Sequence, residues 1–217
     1  VLVQDASTGE MWKAEKVPVS SMCKNVGLVF QNPFNQLSGA KDSVYEEVAF
    51  GMQNLGIETK EMHERTEEAL KMLDIWEYRD RNPFDLSGGQ MQRVAIASVL
   101  VMKPQVMILD EPTSQLDPEG TEEVFRVVDR LSKTGITIIM VEQKIEKMAA
   151  YCNRILLMHK GKQVAFDTPG KIFSRDDLES YGVEAPAFTR ICKANGVKLS
   201  DGTYPVTVES AGELLRN

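Results

Sequence analysis

The stretch Val106 to Pro112, "VMILDEP", constrains this chain more than any other. Four apolar residues long enough for a strand stop at two adjacent carboxylates and then at a proline, which cannot continue a strand ladder. Helix-patterned segments lie on both sides. Upstream, "SGGQMQRVAIASVLVMK" (87–103) starts at a serine suited to capping and is stopped by Pro104; downstream, "DPEGTEEVFRVVDRLSK" (117–133) reads as an amphipathic helix before another apolar run, "GITIIMVE" (135–142). Strands that alternate with helices predict an α/β fold with a mainly parallel sheet, because parallel neighbours need a crossover long enough to hold a helix.

The rest of the chain keeps that rhythm. "VGLVF" (26–30) reads as a strand, and "SVYEEVAFGMQNLG" (43–56) and "KEMHERTEEALKMLDI" (60–75) as helices, so that a helical subdomain is expected over about 40–103. "NRILLMHKGKQVAFDTP" (153–169) reads as a hairpin turning at "KGK". From about Ser174 short helices are expected around Pro186 and Pro205, giving a main domain over 1–173 and a small appendage over 174–217. At 42% hydrophobic and 26% charged, the 217 residues suffice for a globular core. A net charge of −7 speaks against a nucleic-acid surface. Cys23, Cys152 and Cys192 have no metal-ligand spacing and suit a reducing compartment; no stretch approaches the roughly 20 apolar residues of a membrane span.

In a parallel sheet ligands bind beyond the carboxyl ends of the strands, where Asp110 and Glu111 are expected. Two acids there suit a division of labour, one holding Mg²⁺ that bridges phosphate oxygens and the other orienting a water; the alternative is a pair that only caps the next turn. The segment "FDLSGGQMQR" (84–93) bears on that choice. Two glycines between a serine and a helix let backbone N–H groups approach an anion, with the helix dipole behind them, although Ser-Gly-Gly alone also suits a flexible loop.

"LSGGQ" lying one helix ahead of "VMILDEPTSQLD" resembles the signature motif, Walker B strand and D-loop of the ATP-binding-cassette ATPases. "VGLVFQNPFNQL", "YEEVAFGMQNLGI" and "YPVTVESAGELL" narrow the resemblance to the ATPase subunits of energy-coupling-factor transporters, which import vitamins and transition-metal ions. The resemblance runs over essentially the whole chain. It implies ATP and Mg²⁺ as cofactors, ATP hydrolysis as the activity, and a head-to-tail dimer with a second cassette subunit, identical or not. Asp110 would bind Mg²⁺ through water, Glu111 orient the hydrolytic water and Gln31 complete the metal sphere. Ser87, Gly88, Gly89 and Gln90 would clamp the γ-phosphate of nucleotide held by the partner subunit, and Asp117 would cross the dimer interface to couple the two sites. The region after Gln31 through Phe50 would bear the groove for a transmembrane subunit, holding the protein at the cytoplasmic face of the membrane.

Two departures from the family pattern stand out. The phosphate loop G-x-x-x-x-G-K-[ST] is not found: Gly-Lys occurs at Gly161-Lys162 and Gly170-Lys171, followed by Gln163 and Ile172. The opening "VLVQDASTGEMWK" resembles the strand that the family places after the phosphate-loop helix, so the N-terminal part of the cassette is expected to be missing and the chain by itself to be inactive. At the end of "TIIMVEQKIE" (137–146) the family carries a histidine that contacts the γ-phosphate and Glu111's counterpart; here Gln143 stands in its place. Glutamine still donates a hydrogen bond but cannot become cationic, which implies slower turnover or a regulatory site. The alternative function is a non-hydrolytic module that lends its signature motif to a complete partner ATPase.

Overall fold

The computed structural model describes residues 2–4, 11–13, 22, 23 and 25–215. They divide into two compact units, Val1–Val141 and Glu142–Asn217.

In the first unit β1 (Leu2–Gln4) and β2 (Met11–Lys13) pair antiparallel, so the opening segment holds a strand pair where a single strand was expected. β3 (Val26–Val29), β4 (Val106–Asp110) and β5 (Thr137–Val141) form a parallel sheet in that order. The register sets Val29 beside Leu109 and Leu109 beside Met140, and pairs Asp110 with Val141. The three strands therefore end together, and the loops that leave them share a common carboxyl edge.

The crossovers are the expected helices. α1 (Val44–Asn54) starts at Ser43, whose Oγ accepts from Glu46 N at 3.2 Å. α2 (Thr59–Met72) ends at Asp74, which is in the left-handed region at φ +53°. α3 (Gly88–Leu100) carries the signature residues into the core, and α4 (Pro118–Ser132) returns the chain from β4 to β5. One sheet face, with Val29, Met107 and Leu109 at 0% exposure, is covered by a core that includes Val94, Ile96, Val124 and Leu131. Gly27 lies on that face because a Cβ there would meet Val99 Cγ1 at 2.2 Å. The other face alternates outward, with Leu28, Ile139 and Val141 exposed.

The second unit contains α5 (Ile145–Tyr151), the antiparallel pair β6 (Ile155–His159) and β7 (Lys162–Asp167), α6 (Pro169–Phe173), α7 (Ala187–Ala194) and α8 (Val208–Leu215). The hairpin turns at Lys160 (φ +48°) and Gly161 (φ +74°), the two positive values that a type I′ turn requires. Its core joins Ala149, Ile155 and Leu157 to Ile172, Phe173 and Leu178. Residues before and after 173 thus share one set of buried side chains, and the division of the chain falls after Val141 where the sequence pattern suggested 173/174. Thr189 Oγ1 donates to Pro205 O at 2.8 Å, and Ser174 Oγ accepts from Tyr204 N at 2.8 Å, tying the tail to the same unit. The cysteines are free; Cys192 is buried, and burial pushes the Cys152 thiol up.

Candidate functional site

The carboxyl edge of the parallel sheet brings together residues far apart in sequence. Gln31, just past β3, donates from Nε2 to Glu111 Oε2 at 3.0 Å across 80 positions. Glu111 N donates to Val141 O at 2.9 Å, extending the sheet by one bond, and its backbone turns into the left-handed region at φ +43°. A glutamate at positive φ is strained by about 1 kcal/mol or more, so the surrounding bonds must hold it there. The strain turns the chain sharply after Asp110. Asp110 is exposed and Glu111 half-buried, while Thr113 behind them is buried. Among the described residues no cluster of three or more His, Cys, Asp or Glu side chains is arranged to hold a metal. Carboxylate and amide oxygens, as Asp110 and Gln31 carry, are the hard donors that Mg²⁺ uses when phosphate and water supply the remaining ligands.

The signature segment forms a second centre. Ser87 Oγ accepts from Gln90 N at 3.3 Å, and Gln90 Oε1 accepts from Ser87 N at 3.0 Å, a reciprocal capping box at the start of α3. The expected cap is Ser87, as found; that Gln90 completes the box follows from its spacing of three. Asp117 does the same for α4, its Oδ1 accepting from Gly120 N at 2.8 Å. The glycines have a packing role as well. A Cβ on Gly88 would lie 3.3 Å from Leu116 Cδ2, and one on Gly89 would lie 3.1 Å from the Gly120 Cα. The two helix starts therefore approach closely enough that a side chain at either glycine would be tightly packed. Beside them opens a cleft of about 540 Å³ whose lining includes Ser87, Gly88, Gly89, Gln90, Asp117 and Glu119, together with Tyr78, Arg93 and Glu123. Backbone N–H groups at a helix start with a hydroxyl and an amide beside them suit a phosphate group.

Arg93 is the residue the sequence reading passed over. It is 6% exposed, and its guanidinium donates to Gly89 O (3.4 Å), Leu73 O (3.3 Å) and Asp74 O (3.2 Å) and pairs with Glu123 (3.1 Å). Its spacing of four from Gly89 was the available signal. Asp74 is bound in turn by Arg130, whose guanidinium holds the carboxyl below its usual range.

The loop after Gln31 is anchored from below by Glu47, 4% exposed, which accepts from Ser38 N and, at 2.9 Å, from Ser38 Oγ. Phe34 and Phe84 stack at 5.9 Å on the surface, both exposed, and Lys41 lies 5.3 Å over the Phe50 ring. Gln143 belongs to the second unit; its N–H donates to Glu142 Oε1 at 2.9 Å.

A sheet edge with a strained glutamate after the strand aspartate, and a glycine-rich helix start opposite the helix that comes next in the chain, define a nucleotide-binding cassette. The family model for the ABC transporter matches residues 4–114. The chain belongs to the ABC transporter family, as a domain of its ATP-binding, ATP-hydrolysing kind. Within that family it is 41% identical over 210 residues to the energy-coupling factor transporter ATP-binding protein EcfA2 of Clostridium tetani, covering 93% of this chain and 72% of that protein. It is 47% identical over 175 residues to a putative ABC transporter ATP-binding protein of Pyrococcus horikoshii, covering 80% of this chain and 61% of that protein. Among solved structures, cbiO1 of Clostridium perfringens, part of the ABC transporter complex cbiONQ, aligns with a TM-score of 0.70 at 31% identity, over 97% of this chain and 77% of that one.

Proposed function

We propose that the chain is the ATP-hydrolysing part of a subunit that powers an ABC-type importer of the energy-coupling-factor kind, for vitamins or metal ions. The observation that carries this reading is the Gln31 to Glu111 contact at the sheet's carboxyl edge, because it joins a metal-sphere amide to a water-orienting carboxylate on separate strands. Mg²⁺ bound at this edge would supply charge neutralisation on the ATP phosphates. Asp110, through water, and the Gln31 amide oxygen would hold the metal, while the Gln31 amide nitrogen donates to Glu111. Glu111 accepts a proton from the attacking water. Ser87, Gly88, Gly89 and Gln90 donate to the γ-phosphate bound by a partner cassette, and Asp117 orders the helix start that meets it. Gln143 supplies an amide donor in place of a histidine.

The partner subunits are a second cassette ATPase and a membrane protein. The loop from Gln31 to Phe50 is the docking surface for the latter, supported by the exposed Phe34–Phe84 stack. Attachment at the cytoplasmic face of the membrane would run through that surface; among the described residues no helix is long and apolar enough to cross a membrane. The test is Glu111→Gln in the full-length protein. Losing a general base lowers turnover by about 10²- to 10⁴-fold, while ATP-driven dimerisation, read by light scattering, persists because the phosphate contacts are spared. Unchanged turnover refutes the assignment. Turnover that is absent already in the wild type, with ATP-dependent capture of a complete cassette partner, selects the non-hydrolytic module instead.

A further inference from the structure

The guanidinium of Arg93 sits one helical turn behind the signature glycines, at the point where three elements converge. A buried guanidinium loses its hydration and is tolerated only when paired and hydrogen-bonded on all sides. Arg93 meets that demand with one carboxylate, on Glu123 of α4, and three carbonyls: Leu73 and Asp74 at the end of α2, and Gly89 in the first turn of α3 itself. The left-handed conformation of Asp74 turns the chain at the end of α2, where the Leu73 and Asp74 carbonyls accept from the guanidinium. The Asp74 carboxylate is bound to Arg130, so the end of α2 is tied to α4 twice, once directly and once through Arg93. Gly89 is also where α3 runs close to Gly120 of α4: a Cβ there would lie 3.1 Å from the Gly120 Cα, a tight contact.

We infer that Arg93 is a positioning residue for the signature turn, holding the Gly89 carbonyl, and with it the Ser87 to Gln90 donor array, at a fixed place between α2 and α4. This rests on the proposed function only for its effect on ATP. The placement itself is a property of the fold. Lysine can keep the charge opposite Glu123, but its single ammonium, with three donors, cannot serve three carbonyls and a carboxylate at once.

The experiment uses the full-length protein with Arg93→Met, Arg93→Lys and Glu123→Gln, followed by amide hydrogen exchange without nucleotide. The amides of Met91, Gln92 and Arg93, which close the first turn of α3, are expected to exchange at least about tenfold faster in Arg93→Met, with a smaller rise in Arg93→Lys and Glu123→Gln. Amides of Val124 to Val128 in α4 keep their wild-type rates. A uniform acceleration of all amides, or no change at the first turn, overturns the proposal; should Arg93→Met fail to fold, the other two variants decide on the same criterion. A second arm, in the Glu111→Gln background, measures ATP-driven dimerisation in a cycle with Ser87→Ala. Arg93→Met is expected to weaken association about tenfold alone and to add little once Ser87 is gone, because both act through one donor array. Effects that multiply overturn the positioning role. A parent protein that does not associate with ATP at all overturns the ATPase reading, and the exchange rates still decide on Arg93.

Discussion

Replacing Gly27 by alanine tests how tightly the sheet that carries Gln31 is fixed to the signature helix. A Cβ at this position would lie 2.2 Å from Val99 Cγ1 and 3.4 Å from Pro104 Cγ. Carbon atoms in contact settle near 3.5 to 4.0 Å, so one partner must move by roughly 1.5 Å. Val99 has little freedom to yield, since a β-branched side chain in a helix occupies essentially one rotamer. β3 is held by its pairing with β4. Overpacking of this kind costs about 1 to 3 kcal/mol, and the depth of overlap places Gly27→Ala near the upper end. Val99→Ala alone removes two methyl groups from a site 7% exposed, a loss of about 2 kcal/mol with the residual cavity. In the double variant the new methyl occupies the vacated space, so its destabilisation should fall below that of Gly27→Ala alone, which requires a favourable coupling larger than the Val99→Ala cost, about 3 kcal/mol. Urea unfolding at constant m-value measures the cycle. A Gly27→Ala protein within about 0.5 kcal/mol of wild type, or two effects that add to within that margin, would refute the packing argument. Because β3 leads directly to Gln31, the single variant should also disturb the Gln31–Glu111 contact and lower turnover, with recovery in the double variant.

Three further outcomes are expected. If Gln143 has the role proposed for it, Gln143→His in the full-length protein should raise ATP turnover several-fold, since an imidazole can carry positive charge where an amide offers only a dipole; equal steady-state rates would defeat that role. Gln92 is 1% exposed, and among the described residues neither of its amide atoms has a hydrogen-bond partner; Gln92→Met should therefore stabilise the protein by about 1 to 3 kcal/mol in thermal denaturation, and a lower Tm would show that the amide is satisfied. Arg130→Gln should return the Asp74 carboxyl towards its usual range. Because that pKa is lowered in the folded protein, the stabilisation is present at neutral pH and lost as pH falls through the carboxylate range, so the variant should show a weaker acid dependence of stability; an unchanged acid limb would exclude the pair as its source.

Much of the local architecture could be read from the chain. The strand 106–110, the cap at Ser87 and the hairpin turn at Lys160-Gly161 appear where the sequence pattern puts them. Each depends on atoms within about four residues of one another, so residue type and spacing are enough. Other features depend on register. That Gln31 meets Glu111 follows from Val29 pairing with Leu109, a choice made by the whole parallel sheet across an 80-residue separation. The strained backbone of Glu111, the Gly89–Gly120 crossing and the burial of Arg93 are likewise decided by how α3 and α4 pack on the sheet. The division of the chain after Val141, with residues on both sides of 173 in one core, is decided the same way. The sequence by itself determined which groups are available for phosphate chemistry and which helix starts present them. Only the tertiary structure decided which of those groups touch, because contact between distant residues is set by summed packing that no local pattern records.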